Sequence, residues 1–173
     1  SYCHLGKYKL ILRSKIEYMK TNKTYPKSFS HIGITVPNIR EAAKFYSEVM
    51  GWYIIMEPST VKKERETAIG QMCIDVFGED WQEFEIAHLA TSDGIGIELF
   101  SFPHGIKEAP EFSPFNTGLF HFCIQDPNIE ELVAKIVAHG GKQRMPIREY
   151  YPNDKPYKMC YVQDPFGIVF EVY

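Results

Sequence analysis

His31-Ile-Gly-Ile-Thr-Val-Pro37-Asn38-Ile39-Arg-Glu41 returns 90 residues later as His121-Phe-Cys-Ile-Gln-Asp-Pro127-Asn128-Ile129-Glu-Glu131. The register holds without a gap and reaches Gly51 and Gly141, giving seven identities. Agreement of this length at one fixed offset marks an internal duplication, one supersecondary unit used twice. Ile32, Ile34 and Val36 alternate, as do Phe122 and Ile124, so each copy opens on a strand. Asn38 with Glu41, and Asn128 with Glu131, have the spacing of a capping box and start a helix. Ala42, Phe45, Tyr46 and Met50 then recur at helical spacing, as do Ile129, Leu132, Val133, Ile136 and Val137. Gly51 and Gly140-Gly141 supply the left-handed residue that ends each helix.

Three strand-like runs follow each helix, at 52–56, 84–90 and 95–100 in the first copy and at 142–148, 157–163 and 168–173 in the second. Asp93-Gly94 and Asp164-Pro165-Phe166-Gly167 are the turns between the last two runs. The predicted fold class is α+β: two tandem βαβββ modules at 29–101 and 120–173, joined by a linker at 102–119 that holds three prolines and two glycines. Extra residues at about 60–80 distinguish the first copy, and the mixed-sign run Lys62-Lys63-Glu64-Arg65-Glu66 there reads as a solvated face.

The whole chain is 173 residues with 45% hydrophobic side chains, enough for one compact core. A net charge of −3 argues against nucleic acid as a partner, and no apolar run approaches the ~20 residues of a membrane span. Cys3, Cys73, Cys123 and Cys160 show no CxxC or secreted-framework spacing, and Leu10-Ile11-Leu12 is too short for a signal peptide, so the expected location is cytoplasmic. Residues 1–30 carry +6 and the remainder −9, which sets residues 1–28 apart as a basic extension. It reads either as an arm for a partner subunit or as sequence upstream of a natural start at Met19.

His31 and His121 open the first strands of the two copies, and Glu98 and Glu171 sit in the last ones. Alternation puts Ile95, Ile97 and Leu99 on one face and Glu98 on the other; Ile168, Phe170 and Val172 likewise oppose Glu171. Carboxylates among apolar strands carry a desolvation cost that a divalent metal held by two imidazoles and two carboxylates removes. That ligand set suits Zn, Ni, Co, Mn or Fe(II).

HIGITVPNIREAAKFYSEVMGW, GIGIELF, HFCIQDPNIEELVAKIVAHGG and VQDPFGIVFEVY together resemble the vicinal oxygen chelate superfamily over residues 29–173. It includes glyoxalase I, epimerases, extradiol dioxygenases, fosfomycin-resistance enzymes and bleomycin-binding proteins. The resemblance implies an open, curved mixed-sheet barrel around a metal, with ligands at His31, Glu98, His121 and Glu171. A glutamate at position 98 looks most like glyoxalase I. The resemblance therefore implies a metal-dependent, lactoylglutathione lyase-like enzyme acting on a small molecule with vicinal oxygens through an enediolate, with Glu171 or Glu98 carrying the proton. It also implies one divalent metal per site, Zn or Ni ahead of Co, Mn or Fe, and a homodimer. Two other outcomes stay open: an Fe(II) extradiol dioxygenase or epimerase, and a non-catalytic ligand-binding or resistance protein.

Leu99-Phe100-Ser101-Phe102 offers no amide or cation for a glutathione tail, while the 60–80 expansion and Phe102, Phe112, Phe115 and Phe120 point to a bulkier or more apolar substrate. Arg148, Tyr150, Tyr151 and Lys155 fall in a turn-rich stretch expected to overhang the barrel mouth and hold an anionic tail. Cys123 shares the face of His121 and is a candidate pocket residue. The position of His88 depends on the hairpin: a two-residue turn at Asp93-Gly94 points it to the helix side, and a three-residue loop at 92–94 puts it opposite Glu98.

Overall fold

The computed structural model describes residues 25–105, 107 and 111–173, so most of the predicted 1–28 extension, Met19 included, lies outside the described residues. Residues 31–173 form one compact unit. No described helix is long and apolar enough to cross a membrane.

The first module runs β1 (His31–Thr35), α1 (Ile39–Glu48), β2 (Tyr53–Lys62), α2 (Ala68–Phe77), β3 (Glu83–Ala90) and β4 (Gly96–Ser101). The second runs β5 (Phe122–Ile124), α3 (Ile129–Ala138), β6 (Lys142–Gln143), β7 (Arg148–Tyr151), β8 (Lys155–Gln163) and β9 (Val169–Val172). Each folds into its own mixed sheet, ordered β1-β4-β3-β2 and β5-β9-β8-β6, with β7 on β8. β1 lies parallel to β4 and β5 parallel to β9, so the opening strand of each copy pairs with its last. The predicted α+β fold of two duplicated modules is the fold observed, with no closed barrel.

Asn38 caps α1 as expected, its Oδ1 accepting from the backbone N–H groups of Arg40 and Glu41. Asn128 makes no such bond: Asp126, two residues upstream, accepts the Asn128 N–H at 2.7 Å instead. Asp126 thereby takes the N–H to which the Glu131 side chain of a capping box would reach back, which capping-box spacing alone does not reveal. Gly51 and Gly140 both adopt positive φ, at 69° and 89°, and end their helices.

The structure adds detail to the first module and corrects the second. The 60–80 expansion contains a whole helix, α2, capped by the Thr67 hydroxyl. The Lys62–Glu66 run is solvated as expected, with Lys62, Glu64, Arg65 and Glu66 exposed, and from it Arg65 forks onto the exposed Glu79 carboxylate at 2.9 and 2.7 Å. In the second module the predicted strand at 142–148 is split into β6 and β7, and the stretch expected to be an overhanging loop is the β7–β8 hairpin. Pro146 cannot donate to a ladder, which accounts for the break.

Ile39, Ala42, Ala43 and Tyr46 of α1 are buried on Ala87, Leu89, Ile97 and Leu99, and the same core continues into α3, Cys160, Val162, Phe170 and Val172. Tyr46 is central to it. Its ring stacks on Trp52 at 4.9 Å, and its hydroxyl donates 2.6 Å to Asp164 Oδ2, 118 residues away in the β8–β9 turn. Asp164 Oδ1 accepts the Phe166 and Ile168 N–H groups, so one buried carboxylate closes its own turn and joins the two modules. Burial holds Asp164 above the usual carboxylate range, and burial next to that carboxylate keeps the Tyr46 phenol protonated.

Candidate metal centre

The face of each sheet away from the core carries the predicted site residues. Pairing Gly33 with Glu98 in the β1–β4 ladder sets His31 diagonally beside that carboxylate, and pairing Cys123 with Glu171 repeats the arrangement for His121. The distances agree closely. His31 Nε2 lies 3.7 Å from Glu98 Oε2, and His121 Nε2 lies 3.6 Å from Glu171 Oε2. The structure thus brings the four predicted ligands together as two pairs. Among the described residues no three His, Cys, Asp or Glu side chains are arranged to hold a metal ion.

The environments of the pairs differ. Glu171 is only 7% exposed, and the Tyr150 hydroxyl donates to its Oε1 at 2.7 Å. That hydrogen bond to a carboxylate pushes the Tyr150 phenol up to about 12. The Tyr161 hydroxyl lies 3.4 Å from His121 Nε2, and burial followed by the charge of Glu171 raises its pKa as well. Cys123 is an exposed residue that pairs with Glu171 in the β5–β9 ladder, and burial of its thiol, then the charge of the Glu171 carboxylate, pushes it up to about 11. Of the other predicted substrate contacts only Tyr150 reaches the centre. Arg148 and Tyr151 are exposed in β7, and Lys155 starts β8 with its ammonium 5.0 Å from the Tyr151 ring centre.

Glu98 sits between two imidazoles. Thr91 N–H bonds to Ile95 O and Ala90 pairs with Gly96, leaving a three-residue loop at 92–94 with Gly94 at φ 85°. His88 is therefore the ladder partner of Glu98, its Nε2 3.7 Å from Oε1. The sequence held a signal for this register: Ala87 and Leu89 are core residues and must share the face of Leu99 and Ile97, which leaves His88 with Glu98. Tyr161 was overlooked, although it stands as far before Glu171 as His88 does before Glu98.

The far end of this face in the first module is apolar. Phe84, Ile86 and Phe100 share the side of Glu98 and pack with Ile74 of α2, Trp81 and Phe102. Phe77 closes the cluster with edge contacts of 5.2 to 6.2 Å to four of these rings. The extra helix thus builds an aromatic wall one strand position from Glu98. A separate cleft of about 360 Å³ runs between β1 and the segment 118–122 and includes His121, but none of His31, Glu98 or Glu171 lines it.

The donor types, though not their present spacing, suit a divalent cation. Imidazole nitrogen and carboxylate oxygen are the ligands such ions take. Separations of 3.6 and 3.7 Å are too long for hydrogen bonds. His88 Nε2 and His121 Nδ1 are buried and have no hydrogen-bond partner.

Comparison with known proteins agrees with this architecture. The family model described as Glyoxalase/Bleomycin resistance protein/Dioxygenase superfamily matches residues 28–172. A glyoxalase family protein from Bacillus cereus is 23% identical with a TM-score of 0.70, covering 87% of this chain and 95% of that one. Glyoxalase I from Zea mays is 19% identical with a TM-score of 0.58, covering 85% of this chain and 44% of that one. A mutant of the genomically encoded fosfomycin resistance protein FosX from Listeria monocytogenes, complexed with Mn(II) and 1S,2S-dihydroxypropylphosphonic acid, is 15% identical with a TM-score of 0.53, covering 86% and 93%. No curated protein matches the chain significantly.

Proposed function

The chain belongs to the Glyoxalase/Bleomycin resistance protein/Dioxygenase superfamily, and from that premise we propose that it is a metal-dependent lyase or isomerase of glyoxalase type, acting on a small molecule with vicinal oxygens. The observation that carries this reading is the duplicated His–Glu pair, 3.7 Å apart in the first module and 3.6 Å in the second, on the sheet faces away from the core. His31, Glu98, His121 and Glu171 are the residues that would hold the metal. When bound, a divalent cation supplies Lewis acidity toward a substrate oxygen and so acidifies the neighbouring C–H.

The protein's own groups do the rest. Glu98 and Glu171 are the carboxylates available to take a proton from one carbon and return it to the next. Tyr150 fixes the orientation of Glu171 through its 2.7 Å hydrogen bond. Half-buried Ile86, Phe100 and Phe102, backed by the buried Phe84 and Trp81, lie on the side of Glu98 and favour an apolar substituent on the substrate. Arg148 and Lys155, exposed on the β7–β8 hairpin, are the cations available for an anionic tail.

Elemental analysis of chain purified without chelator tests the reading. About one Ni, Zn, Co or Mn per chain is expected, together with isomerase activity that Glu98→Gln and Glu171→Gln abolish. Iron with oxygen uptake on catechols would replace it with an extradiol dioxygenase. Ligand binding without metal, retained by His121→Ala, would replace it with a sequestering protein.

A further inference from the structure

β1 stands first in the order β1-β4-β3-β2, so one side of its backbone has no strand beside it. Val36 N–H bonds to Phe100 O, and by the alternation of a parallel ladder Ile34 and Ile32 also turn their backbone groups toward β4. Gly33 and Thr35 therefore turn theirs away from the sheet, and no described residue hydrogen-bonds to them. Folded proteins usually pair or cover such an edge. Here the segment 118–122 faces it across a cleft of about 360 Å³ and makes no backbone hydrogen bond to it. Residues 32–35 all line the cleft, as an opening along the strand edge rather than onto one sheet face requires.

The opposite wall is aromatic and already held in place. Phe112 and Phe120 stand 6.0 Å apart, ring centre to ring centre. The Arg144 guanidinium sits 4.6 Å from the centre of Phe112 and is itself fixed by a 2.8 Å bond to Gln163 Oε1. Phe120 meets the His121 ring edge-on at 4.2 Å and lies parallel to Tyr161. Arg144 and Tyr161 do not line the cleft, so these rings are ordered from behind and a ligand has little ordering left to do. Among the described lining residues there is no Lys or Arg, and Glu111 is the carboxylate.

These features select one ligand chemistry. An anion meets no cation in this lining and does meet Glu111. A flat, uncharged ring with an N–H beside a C=O pairs with the open C=O and N–H of Thr35 and lays its faces against the phenylalanines. The volume of about 360 Å³ falls within the range of small-molecule sites. We infer that this cleft is a binding site for an uncharged, planar lactam or heteroaromatic ring, apart from the His–Glu pairs and independent of any metal. The His121 ring is common to both places, with Nε2 toward Glu171 and Tyr161, so a molecule in the cleft abuts one member of the second pair.

The test uses the full chain in excess EDTA with carbostyril, a bicyclic lactam, as the probe. Saturable binding in the millimolar range or tighter is expected. Heteronuclear NMR should place the amide shifts at 33–35, 118–122 and 167–169. N-methylcarbostyril, which lacks the donor, and quinaldate, an anion, are each expected to bind at least about fivefold more weakly. Thr35→Pro removes the edge N–H without removing a ladder bond, a change edge strands tolerate, and Phe120→Ala removes one ring of the wall. Both should weaken carbostyril by a similar factor, with melting curves showing that each variant is folded. N-methylcarbostyril binding within about twofold of carbostyril overturns the inference without recourse to any variant. Absence of saturable binding overturns it too, as do shifts gathered at Tyr150, Tyr161 and Glu171, which belong to the His–Glu face. All of these outcomes are read without metal, so they leave the metal-dependent reading to its own elemental analysis.

Discussion

Tyr46→Phe tests how the two modules are held together. The Tyr46 hydroxyl is fully buried and donates 2.6 Å to Asp164, itself 3% exposed, so its loss leaves a carboxylate oxygen without its donor and without room for solvent. Hydrogen bonds to charged groups contribute about 1.5–3 kcal/mol, and the phenyl ring preserves the stacking on Trp52, so the expected cost is about 2 kcal/mol at pH 7. For a domain of this size that lowers Tm by about 4–8 °C. Burial raises the pKa of Asp164 in the folded state, so the folded protein binds this proton more tightly than the unfolded chain. Stability from this group is full below the unfolded value near 3.9 and is lost as pH rises through the folded pKa. Tyr46 opposes part of that loss by favouring the ionised form, so the cost of Tyr46→Phe grows as pH rises from about 4 to 7. Urea unfolding followed by tryptophan fluorescence at pH values across that range measures it. In an Asp164→Asn background the same change is expected to cost about 1 kcal/mol, the value of a neutral bond. A cost under about 0.5 kcal/mol at pH 7, or one that shrinks with rising pH, refutes the reasoning.

Two further perturbations follow from the geometry. Gly141→Ala places a Cβ 2.6 Å from both Gln163 O and Ile136 Cγ2, and backbone cannot yield there, so a loss of about 1–3 kcal/mol in urea unfolding is expected. In the metal-free chain the Tyr150 phenol, pushed up to about 12 by its hydrogen bond to Glu171, should ionise late in an ultraviolet pH titration. Glu171→Gln should return it toward the ordinary value near 10; an unchanged titration would show that the bond is not made in solution.

Why the site splits as it does is visible in the 60–80 expansion. Those residues separate the 90-residue offset of the opening strands from the 73-residue offset of the closing ones, and they fold as α2 against the side of the first sheet that bears Glu98. The duplication supplied two equivalent His–Glu pairs, and the insertion made their surroundings unlike. One is walled by aromatic rings and flanked by His88, the other by tyrosine hydroxyls and Cys123.

Much of this was legible beforehand. The 90-residue repeat carried the two modules, the alternation in Ile97–Leu99 and Phe170–Val172 carried which face each glutamate takes, and His31, Glu98, His121 and Glu171 followed from both. Such features depend on local periodicity, which a chain displays wherever one face of a strand or helix must be dry. What depended on register or on distant partners was not legible. Whether His88 faces Glu98 turned on one residue of hairpin length, and a single-residue slip reverses every side chain on a strand. The Tyr46–Asp164 bond joins residues 118 apart, and Tyr150 meets Glu171 because Pro146 breaks a strand and lets β7 fold back on β8. Periodicity fixes which way a side chain points within its own element; which side chain it meets is decided by how the elements pack, and only the tertiary structure holds that.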